Sequence, residues 1–597
     1  MNLIVEKMLG NYTIITILLL FICNCSLMGQ WQSELVKIDE DGKLTYNADT
    51  NGFKLPDFSF AGFKYSEEAV PNVSVVKEIS TIEGDNTSHI QTAIDEVAAL
   101  TTDENGFRGA LLLKAGVYEV FGSIYVKQSG VVLRGEGDED DTSNNTIIWA
   151  RGNNPLQRTV IQLGSTEQYK WDNEQSGSRK LILNDTVHIG ERKIKIENTD
   201  GLSPGDNIII YHPCSAEWLE SIDGGGTATD PNWSVGELPI VFYRYVKSIS
   251  NDTIEIDAPV FSPLIKELSP CYIFSHASEK MKHLIGIENI RLEIENAGGE
   301  DENHAWDGIR FNLIEDGWAK NCTVQEFGQA GFVTQYSYMY NFNFYHGSQL
   351  ILVKDCYARN GRHNYVSNGT TTVFGCVVYN CVSSASHSAI EGHRKWSQGL
   401  LFDNLQETDL RSSGRLVFAF YNRGDKGTAH GWSSAHCVAW NCDFDDARAC
   451  IQKPPGSQNY AIGCQAKRIN GDEVDFPQEI GFVEGTNVPG LEPTSLYKAQ
   501  FDDRMDIETS SIEDIEHGAC EIIVYPNPTE GYFTIKNTGI KPVEKIAVYN
   551  MIGELLFAHK SESVNPEISI DPNLRRGLYV ITISAGSESY SEKLVVN

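Results

Sequence analysis

The sequence predicts an all-β chain: a right-handed parallel β-helix with an all-β insertion and a small C-terminal β-sandwich. Three observations predict it. Short, mostly apolar strands divided by glycine follow one capping helix near residue 90. From Gly331 onward strand starts fall roughly twenty residues apart, within the period of solenoid repeats. In the same region Asn-Cys or Asp-Cys recurs (Asn321-Cys322, Asp355-Cys356, Asn380-Cys381, Asn441-Cys442), as a small buried residue does when it returns once per coil.

Residues 1–29 read as an export signal, with Lys7 before the apolar run Ile14–Cys23. That run is too short to span a membrane comfortably. Ile22 and Asn24 are poor neighbours for an acylated cysteine, so a lipid anchor is not expected. A polar leader covers 30–75. In the N-terminal cap and first coils (76–154), Ile90, Ala93, Ile94, Val97 and Ala98 recur at helical spacing after the N-cap candidates Asp85 to Ser88. Strands then begin with Ala110–Lys114, Gly116–Val120, Ser123–Val126 and Val131–Arg134.

Residues 155–275 break the rhythm. Long alternating strands (Lys193–Glu197, Asn207–Tyr211, Thr253–Asp257) surround the loop Gly224-Gly-Gly226, which reads as an all-β insertion that can wall a groove. The main β-helix resumes over 276–470, with strands at Ile290–Ile294, Gly331–Val333, Leu350–Val353, Thr372–Phe374, Leu400–Phe402 and Val417–Phe420. Residues 471–520 are acidic and coil-like, a linker. Residues 521–597 read as a separate small β-domain.

The chain has 597 residues and a formal charge of −33, which argues against nucleic acid or an anionic membrane as partner. Against that background, Lys354 to Arg468 holds thirteen Lys/Arg and nine Asp/Glu, and seven of fourteen histidines lie between His304 and His436. They occur in His304-Ala-Trp306, Gly361-Arg-His363, Glu391-Gly-His-Arg-Lys-Trp396 and Ala429-His-Gly-Trp432. Coils stack at about 4.8 Å, so such residues can line up along one groove. The expected ligand is an anionic sugar polymer.

Elimination at a uronic acid needs a cation on the carboxylate, a base for the C5 proton and an acid for the leaving oxygen. The expected catalytic residues are His363, His393, Arg394 and His430. Arg362, Lys395 and Arg423 are further clamp candidates, Tyr421 is a candidate acid, and His304, Trp306, Trp396 and Trp432 are candidate sugar contacts. His346 and His436 read as packing residues. Hydrolysis is the rival chemistry and wants two carboxylates, for which Asp307, Glu391, Asp445 and Asp446 are available. A non-catalytic carbohydrate-binding surface protein is the third reading. The cofactor stays open: calcium wants clustered oxygen ligands and no dense Asp/Glu motif occurs within one coil, while zinc needs histidines from separate coils. A monomer is expected.

Two resemblances extend this reading. Gly84-Asp…Ile90-Gln-Thr-Ala-Ile94, Leu113–Tyr118 and Val131–Gly137 resemble the pectate-lyase-like β-helix superfamily, which contains lyases, hydrolases, epimerases and adhesins. The order of polygalacturonase motifs in that superfamily is not matched, because Asn198-Thr-Asp200 lies in the insertion and Gly392-His-Arg394 precedes Asp445-Asp446. Val524-Tyr-Pro-Asn-Pro-Thr529, Ile546–Gly553, Gly577–Ile583 and Lys593–Asn597 resemble the C-terminal sorting domain of Bacteroidota type IX secretion substrates. That resemblance implies the type IX machinery as a partner, and a mature chain at the cell surface or outside it, without a transmembrane segment.

Overall fold

The computed structural model describes residues 30–66, 71–152, 158–167, 174–226, 233–276, 281–295, 304–326, 340–472 and 476–505, and within 522–596 chiefly the strands. The expected export signal and the strand expected at 331–333 lie outside the described residues. The chain divides into two compact units near residue 509.

The first unit is a right-handed parallel β-helix, the hand that parallel crossovers nearly always take. Nine described strands stack in register as one sheet: Ile124–Val126, Thr159–Gly164, Asp307–Asn312, Tyr340–Phe344, His363–Ser367, Ile390–Gly392, Leu416–Phe420, Arg448–Ile451 and Arg468–Asn470. A second sheet runs from Val75–Ile79 to Phe482–Glu484, and a third from Gly116–Val120 to Gln406–Thr408. Gly286–Ile294 bends from the second into the third.

Side chains from the three sheets fill the lumen, among them Leu133, Ile287, Phe311, Phe342, Tyr365, Phe402, Phe418 and Ile451. The Asn/Asp-Cys pairs mark one corner of each coil. Asn321, Asp355, Asn380 and Asn441 sit at φ of 50–52°, a left-handed conformation that Asn and Asp tolerate best among non-glycine residues. Their side chains stack as well: Asn380 Nδ2 donates to Asp355 Oδ1 at 2.5 Å and Asn441 Nδ2 to Asn404 Oδ1 at 2.7 Å. Each following cysteine points into the lumen, and all ten described cysteines are buried free thiols.

The second sheet is buried on both faces, which is why its strands read as unbroken apolar runs (Val377-Val378, Leu400–Phe402, Val438–Trp440). Its outer face packs on the leader through Leu35, Phe58 and Phe63 and on the insertion through Val260 and Phe261. The antiparallel insertion starts later than 155, since Thr159–Gly164 belongs to the solenoid. It comprises Lys180–Leu181, Tyr272–Ser275, Asn207–His212, Ile240–Ser250, Thr253–Ile256 and Lys193–Lys195, hydrogen-bonded in that order. The stretch read as linker differs more. Phe482–Glu484 continues the second sheet, Leu491–Glu492 pairs with Trp31–Gln32 of the leader, and Leu496–Arg504 is a helix with Leu496 and Tyr497 in the same core.

The second unit has a three-stranded antiparallel sheet (Ile522–Tyr525, Phe533–Asn537, Glu567–Ile570) and a four-stranded one (Leu555–Lys560, Val543–Asn550, Gly577–Ala585, Glu588–Val596). Phe533, Ile535, Ile546, Val548, Ile581 and Leu594 form its own core.

Candidate active site

The nine-stranded sheet turns two polar rows outward. One runs Arg310, Asn343, Val366, Glu391, Ala419 across successive coils. The other, two residues further along each strand, runs Asn312, Tyr345, Asn368, His393, Tyr421. Backbone bonds keep this second row in step: Tyr345 N to Phe311 O and Asn368 N to Phe344 O at 2.9 Å, and His393 N to Ser367 O at 2.6 Å. Glu391, His393 and Tyr421 therefore share one face because the coils stack.

His393 is the hub. Its ring centroid lies 5.0 Å from that of His363, 4.9 Å from His430 and 5.8 Å from Tyr340. Its Nδ1 is 2.5 Å from Glu391 Oε1 and 2.7 Å from Arg423 Nη1. One nitrogen cannot donate to the first and accept from the second. We place the proton on Nδ1, donated to the carboxylate, because Arg423 Nη1 keeps two other acceptors, His393 O at 2.9 Å and Glu391 Oε1 at 3.3 Å. His393 Nε2 then carries the lone pair. Tyr421 Oη donates to Glu391 Oε2 at 2.7 Å, so both carboxylate oxygens are engaged. His363 Nδ1 donates to Ala389 O at 2.5 Å; among the described residues its Nε2 and the Tyr340 hydroxyl, both buried, have no hydrogen-bond partner.

Burial sets the protonation states. It holds His393 and His363 well below the usual imidazole value, with Arg423 adding to the effect at His393, and lowers His430 to about 3. All three are neutral bases at neutral pH. Burial also raises the Tyr340 and Tyr421 phenols, which keep their protons. Arg423 is held above the ordinary guanidinium value by Glu391, against the effect of burial.

The remaining sequence candidates separate into two groups. Arg362 and Arg394 are half-buried beside this cluster, and Tyr340 feels the charge of both. Arg394 Nε lies 3.4 Å from Asn368 O. Trp306 is half-buried beside Arg310, whose guanidinium lies 5.7 Å from its ring. Three expected sugar contacts and one clamp candidate are corrected. Trp396 packs edge-on against Trp218 of the insertion at 5.9 Å, and Trp432 is 1% exposed against Gly226; both wedge the insertion onto the coils. Lys395 pairs with Glu237 of the insertion at 2.6 Å. His304 is fully buried with its Nδ1 on Ala305 O at 2.7 Å. Tyr421, the candidate acid, is committed to Glu391. Sequence reading missed Tyr340 altogether, and it placed His346 in packing, whereas His346 lines a pocket with Arg310, Asn312 and Tyr345. His436 is fully buried beside Phe53.

His363, Glu391 and His393 bring ligand atoms within 4.8 Å of one another, a nitrogen–oxygen set that suits zinc better than calcium. The surroundings do not fit a metal. Arg423 already sits against both His393 Nδ1 and Glu391 Oε1, and His363 Nδ1 is spent on a carbonyl. The cluster is built around a guanidinium.

Comparison with known proteins gives one domain and several partial likenesses. Residues 523–597 match the secretion system C-terminal sorting domain. An ulvan lyase of Nonlabens ulvanivorans is 31% identical over 104 residues, 17% of this chain and 19% of that protein, so the chain spans about a fifth of that relative's length. Among solved structures, the Pseudomonas phage LKA1 tailspike shares 13% identity over 67% of this chain and 74% of its own, with TM-score 0.33. A pectin methylesterase of Erwinia chrysanthemi shares 9% over 68% and 92%, with TM-score 0.31. The fold rests on the strand register described above. Residues 523–597 are therefore a secretion system C-terminal sorting domain, and they direct the β-helix that precedes them to the cell surface or the extracellular space.

Proposed function

We propose that the chain is a secreted polysaccharide lyase that cleaves a uronate-containing polymer, sulfated or not, by β-elimination. The observation that carries this reading is the neutral His393 imidazole, oriented by Glu391 through Nδ1 and flanked by His363, His430 and Tyr340 on one sheet face. Arg362 and Arg394 neutralise the sugar carboxylate and so acidify the C5 proton. His393 Nε2 takes that proton, its electron pair becomes the C4–C5 double bond, and the C4–O bond breaks. The leaving oxygen takes the proton of the Tyr340 hydroxyl. His393 then returns its proton through solvent as the phenol is restored. Among the described residues one carboxylate, Glu391, touches the histidines, and it is occupied by His393, Arg423 and Tyr421. Hydrolysis needs two carboxylates across the bond, so the cluster favours proton abstraction. The partial likeness to an ulvan lyase supports the same reading.

The test is a panel of acidic polysaccharides (alginate, pectate, ulvan, fucoidan-type polymers, glycosaminoglycans) assayed for ultraviolet absorbance and for reducing ends. A lyase raises both on at least one polymer. Reducing ends without absorbance make the chain a hydrolase, and neither signal makes it a binding protein.

A further inference from the structure

A pocket of about 440 Å³ opens on the same sheet face, lined by Gln162, Thr166, Glu167, Arg310, Asn312, Tyr345 and His346. Arg310 belongs to the row of Glu391 and Asn312 to the row of His393, each three coils away. At about 4.8 Å per coil the pocket lies about 14 Å from the reacting histidine, roughly three sugar units along a bound chain.

Its lining is pre-set. Gln162 Nε2 and Asn312 Nδ2 both donate to Ser165 O, at 2.8 and 2.6 Å. That shared bond fixes two buried carboxamides, each keeping a carbonyl oxygen and a second N–H. Arg310 is held along one edge by Asp307, Nε to Oδ2 at 2.5 Å, with its guanidinium carbon 4.6 Å from the centre of the Tyr345 ring. Asp307 is fully buried and also tied to Thr159 at 3.2 Å, so it acts as an anchor. His346 donates from Nδ1 to Gly369 O at 3.1 Å, which fixes its ring at the pocket wall. Paired amides match sugar hydroxyls, and a fork anchored on one edge presents the other to an acidic group.

We infer that this pocket is a distal subsite that grips a non-reacting, acid-bearing sugar unit of the same polymer. The inference rests on the proposed lyase reading and adds a prediction of its own: turnover should depend on chain length. Binding energy collected three coils from the reacting bond is available only to an oligosaccharide long enough to reach it.

The experiment uses the full chain with size-defined oligosaccharides of whichever polymer it cleaves. Wild type should show kcat/KM rising steeply once the substrate spans both positions. The double variant Gln162→Ala/Asn312→Ala should lose tenfold or more on long substrates, chiefly in KM, and leave the shortest cleaved substrate unchanged. Arg310→Lys should give a milder loss with the same length dependence. If the double variant melts early, Gln162→Ala alone carries the same comparison. Equal losses at every length, or no loss at any, overturn the subsite while the lyase reading stands. A wild type inert on the whole panel overturns that reading and the subsite with it.

Discussion

At the scale of the residue, the site turns on how one imidazole is held. His393 is 3% exposed, so its neutral form is set by burial, and its tautomer by Glu391. His393→Ala removes the base and leaves the Glu391–Arg423 pair intact. Turnover should fall by about 10²–10⁴-fold, with the melting temperature close to wild type. A variant that keeps its rate, or unfolds, speaks for a structural histidine instead. Arg423→Met does the opposite. It strands the fully buried Glu391 carboxylate beside a phenol, and losing one partner of a buried pair costs about 3–5 kcal/mol, which urea unfolding measures directly. The three histidines could be singled out in sequence because each lies within two residues of a glycine and of a cation or tryptophan, and the structure brings their rings together. Tyr340 was not. Nothing adjacent to it in sequence marks it, and its neighbours His363 and His393 arrive only through coil stacking. Trp396 and Trp432 misled for a related reason: a tryptophan in a coil turn can face a sugar or an inserted domain, and sequence does not say which side the insertion covers.

At the scale of the element, the insertion holds the loop that carries His430. Trp432 N donates to Gly225 O at 2.8 Å and Trp233 Nε1 to Ala429 O at 3.0 Å. Gly431, at φ +57°, would place a Cβ 2.1 Å from Gly225 O, a backbone atom that cannot yield without moving the loop. Gly456, at φ +65°, faces open space. Gly456→Ala should therefore cost only the left-handed penalty, about 1–2 kcal/mol, with activity retained. Gly431→Ala should cost more than that and lower kcat, because His430 moves with the loop; paired melting and rate measurements decide it. Coils and insertion were readable because strand period and glycine spacing survive any packing. The helix Leu496–Arg504 was not, because half its buried face is polar. Gln500 reaches back to the leader, accepting from Phe58 N at 2.9 Å and donating to Pro56 O at 3.0 Å, and Asp502 is buried beside it. A helix whose inner face carries Gln and Asp has no apolar stripe to announce it.

At the scale of the whole molecule, burial of titratable groups ties stability to pH with two opposing signs. Burial lowers His212 and His346 to about 4, and His387, His430 and His436 to about 3. The unfolded chain binds those protons near pH 6.5 and the folded chain does not, so this contribution is complete above 6.5 and is lost as pH falls. Burial also raises Asp138 to about 6, Asp403 to about 7 and Asp316 to about 8. The folded chain keeps those protons after the unfolded chain has shed them near pH 4, so their contribution is lost as pH rises toward each folded value. Between pH 4 and 6.5 the two sets oppose each other. Above 6.5 the histidines add nothing more, while Asp403 and Asp316 slope downward, each by about 1.4 kcal/mol per pH unit until it ionises. The buried Glu315 carboxyl, raised well above its ordinary value by burial, acts in the same direction. The melting temperature should therefore fall from pH 6.5 to 8. Asp316→Asn should lessen that fall up to about pH 8, while Asp403→Asn should flatten only the portion below about 7. A melting temperature that rises across this interval in wild type would mean that neither carboxyl is protonated in the folded chain.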